Sequence, residues 1–185
     1  ARPEGYVSFT RAHAEPDDAA DSDADPVTGV TPIVTLAPGQ IDNTLDAGLL
    51  QAAAIGDRVW HDQDNDGLQD TGEPGVSNVL VRLTGTDVLG NQVDLTDTTD
   101  EGWYGFEPLV PGTYVLTVTH REGYLFSPQN RGDGETDSDS DSDVDGSGVG
   151  PPMTLVSGQV DLDVDAGLVT AGGLGGYVWH DEDAN

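Results

Sequence analysis

The sequence predicts an all-β protein built of tandem modules, each an antiparallel β-sandwich of seven short strands. Three observations predict it. Apolar and polar residues alternate in run after run, and no stretch has the spacing of an amphipathic helix. The runs are short and separated by turn residues, in a chain with 25 Gly and 11 Pro. The chain also repeats itself: Trp60 returns as Trp179 and Asp46 as Asp165, in both cases 119 residues later. That spacing is the length of a small domain, well beyond a solenoid repeat of roughly 20–50 residues.

The elements follow in order. "IGDRVWH", ending at His61, reads as the first strand. "VLVRLTG" places Val79, Val81 and Leu83 on one face. "NQVDLTDTT" is a second alternating run, reached through a turn in which Gly90 and Asn91 supply the turn chemistry. "WYGFEPL" is short and aromatic. "PGTYVLTVTH" puts Tyr114, Leu116 and Val118 on one face, and "MTLVSG" and "QVDLDVDAGL" complete the set. Residues 121–152 lie between "PGTYVLTVTH" and "MTLVSG", and a loop of that length inside a compact domain calls for an explanation.

The repeat sets the boundaries. "PEGYVSF" returns as "REGYLFS", "VTLAPGQIDNTLDAGLL" as "MTLVSGQVDLDVDAGLV", and "IGDRVWHDQDN" as "LGGYVWHDEDAN". Residues 1–50 are expected to be the C-terminal part of a preceding module, 51–169 one complete module, and 170–185 the first strand of a following one. The chain then reads as a window on a longer polymer. Its joins, "LLQAAA" and "VTAGG", are short enough to restrict hinge motion.

Composition narrows the partners. Six Lys+Arg stand against 35 Asp+Glu, for a formal net charge of -29, and none of the six is Lys. Phosphates would be repelled, so neither nucleic acid nor an anionic membrane is expected as a partner. No apolar run is long enough to insert in a bilayer. The absence of Cys excludes disulfides and thiolate metal sites. The acidity points towards cations as partners, or towards a salty medium.

One acidic stretch has a specific order. Asp62, Asp64, Asp66, Gly67 and Glu73 satisfy the pattern D-x-D/N-x-D/N-G-x5-E at every position. A hard divalent cation takes six to eight oxygens at about 2.3–2.6 Å. Alternate carboxylates supply the first three, Gly67 turns the chain, the Leu68 carbonyl and Asp70 follow, and Glu73 closes the shell. Calcium is the expected ion; the competing reading is a solvated acidic turn. A second cluster in residues 133–148 offers Asp139, Asp141, Asp143 and Asp145, and residues 1–50 carry its counterpart in Asp21, Asp23 and Asp25. Here the alternative is a solvated Asp/Ser linker. Asp97 and Asp100 form a third candidate, or a plain turn. Asp181 and Asp183 repeat the start of the first loop.

These motifs together resemble the SdrD B-like domain, a Cna-B-related, prealbumin-like β-sandwich found in tandem on bacterial surface proteins and adhesins. The residues that carry the resemblance are "IGDRVWHDQDNDGLQDTGEPGVSNVLVRL", "TDEGWYGFEPLVPGTYVLTV", "EGYLFSP", "DSDVDGSG" and "DLDVDAGL". The resemblance implies a Greek-key sandwich of prealbumin-like or immunoglobulin-like type, an extracellular setting (cell surface or secreted), and stabilisation by calcium. Many Cna-B relatives carry a Lys–Asn crosslink assisted by an acidic residue in "Y-x-L-x-E". The corresponding "YVLTV" has Val118 at the acidic place, and without Lys the crosslink cannot form.

The expected function is a non-catalytic, calcium-rigidified stalk or fibre segment. Its partners are neighbouring modules of the same polymer, or other copies in a fibre; the sequence names no receptor. The alternative is a carbohydrate-binding or other ligand-binding module using Trp60, Trp103 or Trp179, of which Trp103 is the best placed. His13, His61, His120 and His180 have no nucleophile arrangement or phosphate loop beside them, so an enzyme is not expected.

Overall fold

The computed structural model describes residues 2–12, 21–119, 121–129, 131 and 143–173. Among them there is no helix. Residues from the first part of the chain give one small antiparallel pair, β1 (Tyr6–Phe9) with β2 (Leu49–Gln51). The rest forms two sheets. One has the order β5-β4-β7-β9, from Gln92–Thr98, Leu80–Asp87, Gly112–Val118 and Met153–Leu155. The other is centred on β3 (Ala53–His61). On one side β3 pairs with β6 (Trp103–Leu109); on the other it meets β10 (Val160–Asp161) and then β11 (Ala166–Thr170), with β8 (Tyr124–Phe126) beyond.

The alternating runs explain the core. Val81 and Leu83 on β4, and Tyr114, Leu116 and Val118 on β7, point inward and are buried. They meet Ile55 and Val59 on β3, Phe106 on β6, and Leu168 on β11 in one apolar cluster between the sheets. Each such side chain contributes about 1.5–3 kcal/mol through removal from water. The edge strand β5 is exposed and carries Asp94, whose carboxylate receives Arg82 Nε and Nη2, each at 2.7 Å. Charge on an edge discourages pairing with another chain.

The last run departs from the antiparallel expectation. β10 and β11 both pair with β3 in parallel, Val160 opposite Ala54 and Ala166 opposite Val59. With β11 parallel to β3, the chain enters this sheet and leaves it in the same direction. "QVDLDVDAGL" also breaks in two, because the Asp165 carboxylate accepts the Arg58 N–H (3.1 Å) where a ladder bond would stand.

The described residues at either end of 121–152 join the fold. β8 adds an edge to β11, and Val144 is fully buried in the core. The described residues in the first part of the chain repeat this pairing. β1–β2 matches β8–β11, with Phe9 opposite Leu49 as Phe126 is opposite Leu168. The sequence alignment of "GYVSF" with "GYLFS" slips here by one residue, because β1 carries a bulge between Tyr6 and Ser8. Cover is the difference between the two copies. Leu36 and Leu45 are 55% and 43% exposed, whereas their counterparts Leu155 and Val164 lie under the opposite strands at 1% and 5%.

Candidate metal centre

Where β3 ends, the Asp62 N–H is tied to the Leu168 carbonyl at 3.0 Å. That anchor holds its side chain inside the following loop, 1% exposed. One carboxylate oxygen accepts the Asn65 N–H (2.6 Å) and the other the Gly67 N–H (3.0 Å). The chain wraps around this carboxylate by entering the left-handed region at Asn65 (φ 62°) and Gly67 (φ 86°). Gly67 is required for space as well, since a Cβ there would stand 2.3 Å from the Pro128 carbonyl oxygen.

The loop is drawn shut from its far end. Glu73 reaches back across it, one oxygen accepting the Gln63 N–H (2.6 Å) and the other the Asp70 N–H (3.0 Å). Asp66 accepts the Leu68 N–H (2.8 Å), and the Pro74 carbonyl receives His61 N–H (2.8 Å). Asp64 and Asp66 remain exposed. Carboxylate oxygens of Asp62, Asp64 and Asp66 all lie within 4.8 Å of one another. Ligands on opposite sides of a hard cation with bonds of about 2.4 Å are separated by about that distance. The donor set is all oxygen and the spacing suits one ion, so these residues fit a hard divalent cation. They are the one such group of three gathered among the described residues.

The second cluster uses its carboxylates differently. Asp143 and Asp165 are cross-bonded: Asp143 N–H to the Asp165 carbonyl (3.0 Å), and Asp165 N–H to an Asp143 carboxylate oxygen (2.9 Å). Residues 1–50 repeat the pattern with Asp23 and Asp46, at 2.9 and 2.8 Å. Asp145 shapes the adjoining turn by accepting from the Ser147 hydroxyl (2.6 Å), Ser147 N–H (2.8 Å) and Val149 N–H (3.1 Å). Asp25 does the same with Thr28 and Val27. Asp21 is only 8% exposed, and neither carboxylate oxygen has a hydrogen-bond partner among the described residues. A dehydrated carboxylate of this kind calls for positive charge nearby. Asp139, Asp141, Asp181 and Asp183 lie outside the described residues, as do His13, His120, His180 and Trp179.

The Ser147 hydroxyl, followed by the Val149 and Ser147 N–H groups, holds the Asp145 carboxyl below its ordinary value of 3.8. A carboxyl depressed in the folded state adds stability above its unfolded value and loses it as the pH falls through the folded one. Asp145→Asn is therefore expected to destabilise the protein at about pH 5 but to cost progressively less towards about pH 2. Urea denaturation across that range checks it; a constant difference between variant and parent would contradict it.

The structure joins neither Asp97 nor Asp100 to the first loop. Asp97 accepts the Thr98 N–H (2.8 Å) and the Gly105 N–H (2.9 Å), stitching β5 to β6. Asp100 exchanges two main-chain bonds with Trp103 across a tight turn, in which Glu101 and Gly102 have positive φ. Asp46 and Asp165 were not candidates from the sequence; their only signal was their identical place in the repeat. His61 bonds Thr170 Oγ1 (2.9 Å) and packs edge-on against Tyr124. Trp60 is fully buried, and Trp103 is 57% exposed with the Arg58 guanidinium 5.4 Å from its ring centroid.

Comparison with known proteins matches this architecture. The family model of the SdrD B-like domain matches residues 53–168. Serine-aspartate repeat-containing protein F of Staphylococcus epidermidis is 34% identical over 98% of the chain, which covers 11% of that protein. Serine-aspartate repeat-containing protein E of Staphylococcus aureus is 31% identical over 97% of the chain, covering 14% of its length. A fibrinogen-binding protein of Staphylococcus epidermidis is 34% identical over 72% of the chain, with 12% of its own length covered. The chain thus spans about a tenth of the relatives it matches. None of these names describes an enzyme, and no helix among the described residues is long and apolar enough to cross a membrane. With the family model matched across both sheets and the acidic loop between them, the chain belongs to the SdrD B-like domain family.

Proposed function

We propose that this protein is a non-catalytic structural repeat of a bacterial surface protein, stiffened by calcium and acting outside the cell in a stalk or fibre. The observation that carries the reading is the Asp62 carboxylate, sequestered in a closed loop with two further carboxylates at one ion's spacing. Calcium suits the loop because it accepts many oxygens in flexible geometry, whereas magnesium demands a tight octahedron. The parallel pairing of β3 with β11 supports the mechanical part, since it sends the chain in at one pole and out at the other. The partners under this reading are neighbouring modules, in one polymer or between copies.

Asp64 gives the cleanest test of the ion. It is exposed and takes no part in the hydrogen bonds that shape the loop among the described residues. In isothermal titration, Asp64→Asn is expected to weaken binding at one calcium site by roughly tenfold, because affinity follows ligand charge. An unchanged isotherm, or none in the parent protein, would overturn the calcium reading.

A further inference from the structure

A single residue, Ala52, separates the end of β2 at Gln51 from the start of β3 at Ala53. Main-chain bonds divide there between two bodies. Ala52 N–H turns back to the Gly5 carbonyl (3.0 Å), and Ala54 N–H turns forward to the Gln159 carbonyl (3.0 Å). The Gln51 N–H is taken by a side chain, Ser157 Oγ at 2.8 Å. Beside it, Gly158 has φ 78°, and a Cβ there would stand 2.7 Å from the Gln51 side-chain oxygen. Turn 156–159 of the complete module is thus seated on the last residue of the preceding strand. A second contact lies elsewhere on the same joint: Arg11 Nη2 reaches the Val88 carbonyl at 3.4 Å.

The repeat shows what Ser157 is not needed for. Turn 37–40 is the counterpart of turn 156–159 and has the same internal bonds. Gln40 N–H reaches the Ala37 carbonyl (3.0 Å) as Gln159 N–H reaches that of Val156 (3.1 Å). The glutamine side chain returns to the Ala37 N–H (3.1 Å) and the Val156 N–H (3.0 Å) alike. Gly39 and Gly158 both have positive φ. Pro38 stands in the place of Ser157, so the turn forms without a hydroxyl.

We propose that turn 156–159 is a docking site for the last strand of the preceding module, and that Ser157 fixes the angle at the joint. This rests on the reading of the protein as one of a tandem series of structural modules. The hydroxyl ties the strand that leaves one module to the turn that closes the next, so two bodies joined by one residue lose their remaining hinge freedom.

The absence of Cys makes the test direct. Nitroxide labels at Asn43→Cys and Thr96→Cys, both exposed positions, report across the joint in the full 185-residue chain with calcium present. Double electron–electron resonance is expected to give a single narrow distance in the parent. Ser157→Pro should lose that narrow peak without lowering the melting temperature, because proline suits the position before a positive-φ glycine in such a turn. Ser157→Ala removes the acceptor without constraining the backbone, and decides the matter should the proline variant melt early. A narrow peak that survives in both variants, or a broad one in the parent, overturns the proposal. A melt indifferent to EDTA would overturn the calcium reading while leaving a narrow peak, and this proposal, intact.

Discussion

Removing calcium with EDTA is expected to lower the melting temperature of the protein by roughly ten degrees. An ion held at one site at 100 times its dissociation constant contributes about 2.7 kcal/mol. For a domain of this size each kcal/mol corresponds to several degrees. Chelation also leaves the Asp62, Asp64 and Asp66 carboxylates facing one another within 4.8 Å with no cation between them. Asp64 and Asp66 are exposed, so salt screens most of that repulsion. Added NaCl should accordingly restore part of the loss in EDTA, and magnesium should restore less than calcium does. Asp64→Asn should show a smaller gap between calcium and EDTA than the parent. Coincident melts with and without chelator would remove calcium as a structural component of the domain.

The strands that form the core were legible because alternation is a local signal. Val81 and Leu83, or Tyr114, Leu116 and Val118, declare their face without reference to anything distant. The first acidic loop was legible for the same reason, as its candidate ligands lie within twelve consecutive residues. What escaped depends on contacts between remote segments. Nothing local in "QVDLDVDAGL" says that it will lie parallel to β3, or that Asp165 will take the Arg58 N–H and split it in two. The cross-bonded pairs Asp143–Asp165 and Asp23–Asp46 join residues more than twenty positions apart. The bulge in β1 was hidden because "EGY" aligns perfectly in both copies and the slip begins just after it. Ser157 carried no local signal, since the N–H that its hydroxyl accepts belongs to Gln51, 106 positions away.

Trp60→Ala is expected to cost about 3–5 kcal/mol, a large part of the total stability of a domain this size. The side chain is fully buried at the point where β3 hands over to the acidic loop. Its main chain bridges Gly75 on one side and lies opposite Gly167 of β11 on the other. The fit is close: a Cβ on Gly167 would stand 2.9 Å from Trp60 Cζ2. Strands fixed on both flanks cannot collapse into the space an alanine leaves, which places the cost towards the upper end of the range. Trp60→Phe distinguishes packing from polarity. The indole Nε1 is buried and has no hydrogen-bond partner among the described residues, and an unsatisfied buried donor costs about 1–3 kcal/mol. Phenylalanine gives up apolar area but also removes that donor, so its net loss should stay below about 1.5 kcal/mol. Urea midpoints at unchanged m-value, measured with calcium saturating, give both differences. Equal losses for Ala and Phe would mean that the indole N–H is satisfied in solution. A loss under about 1 kcal/mol for Ala would mean that the strands close over the gap and that the end of β3 is softer than its burial implies.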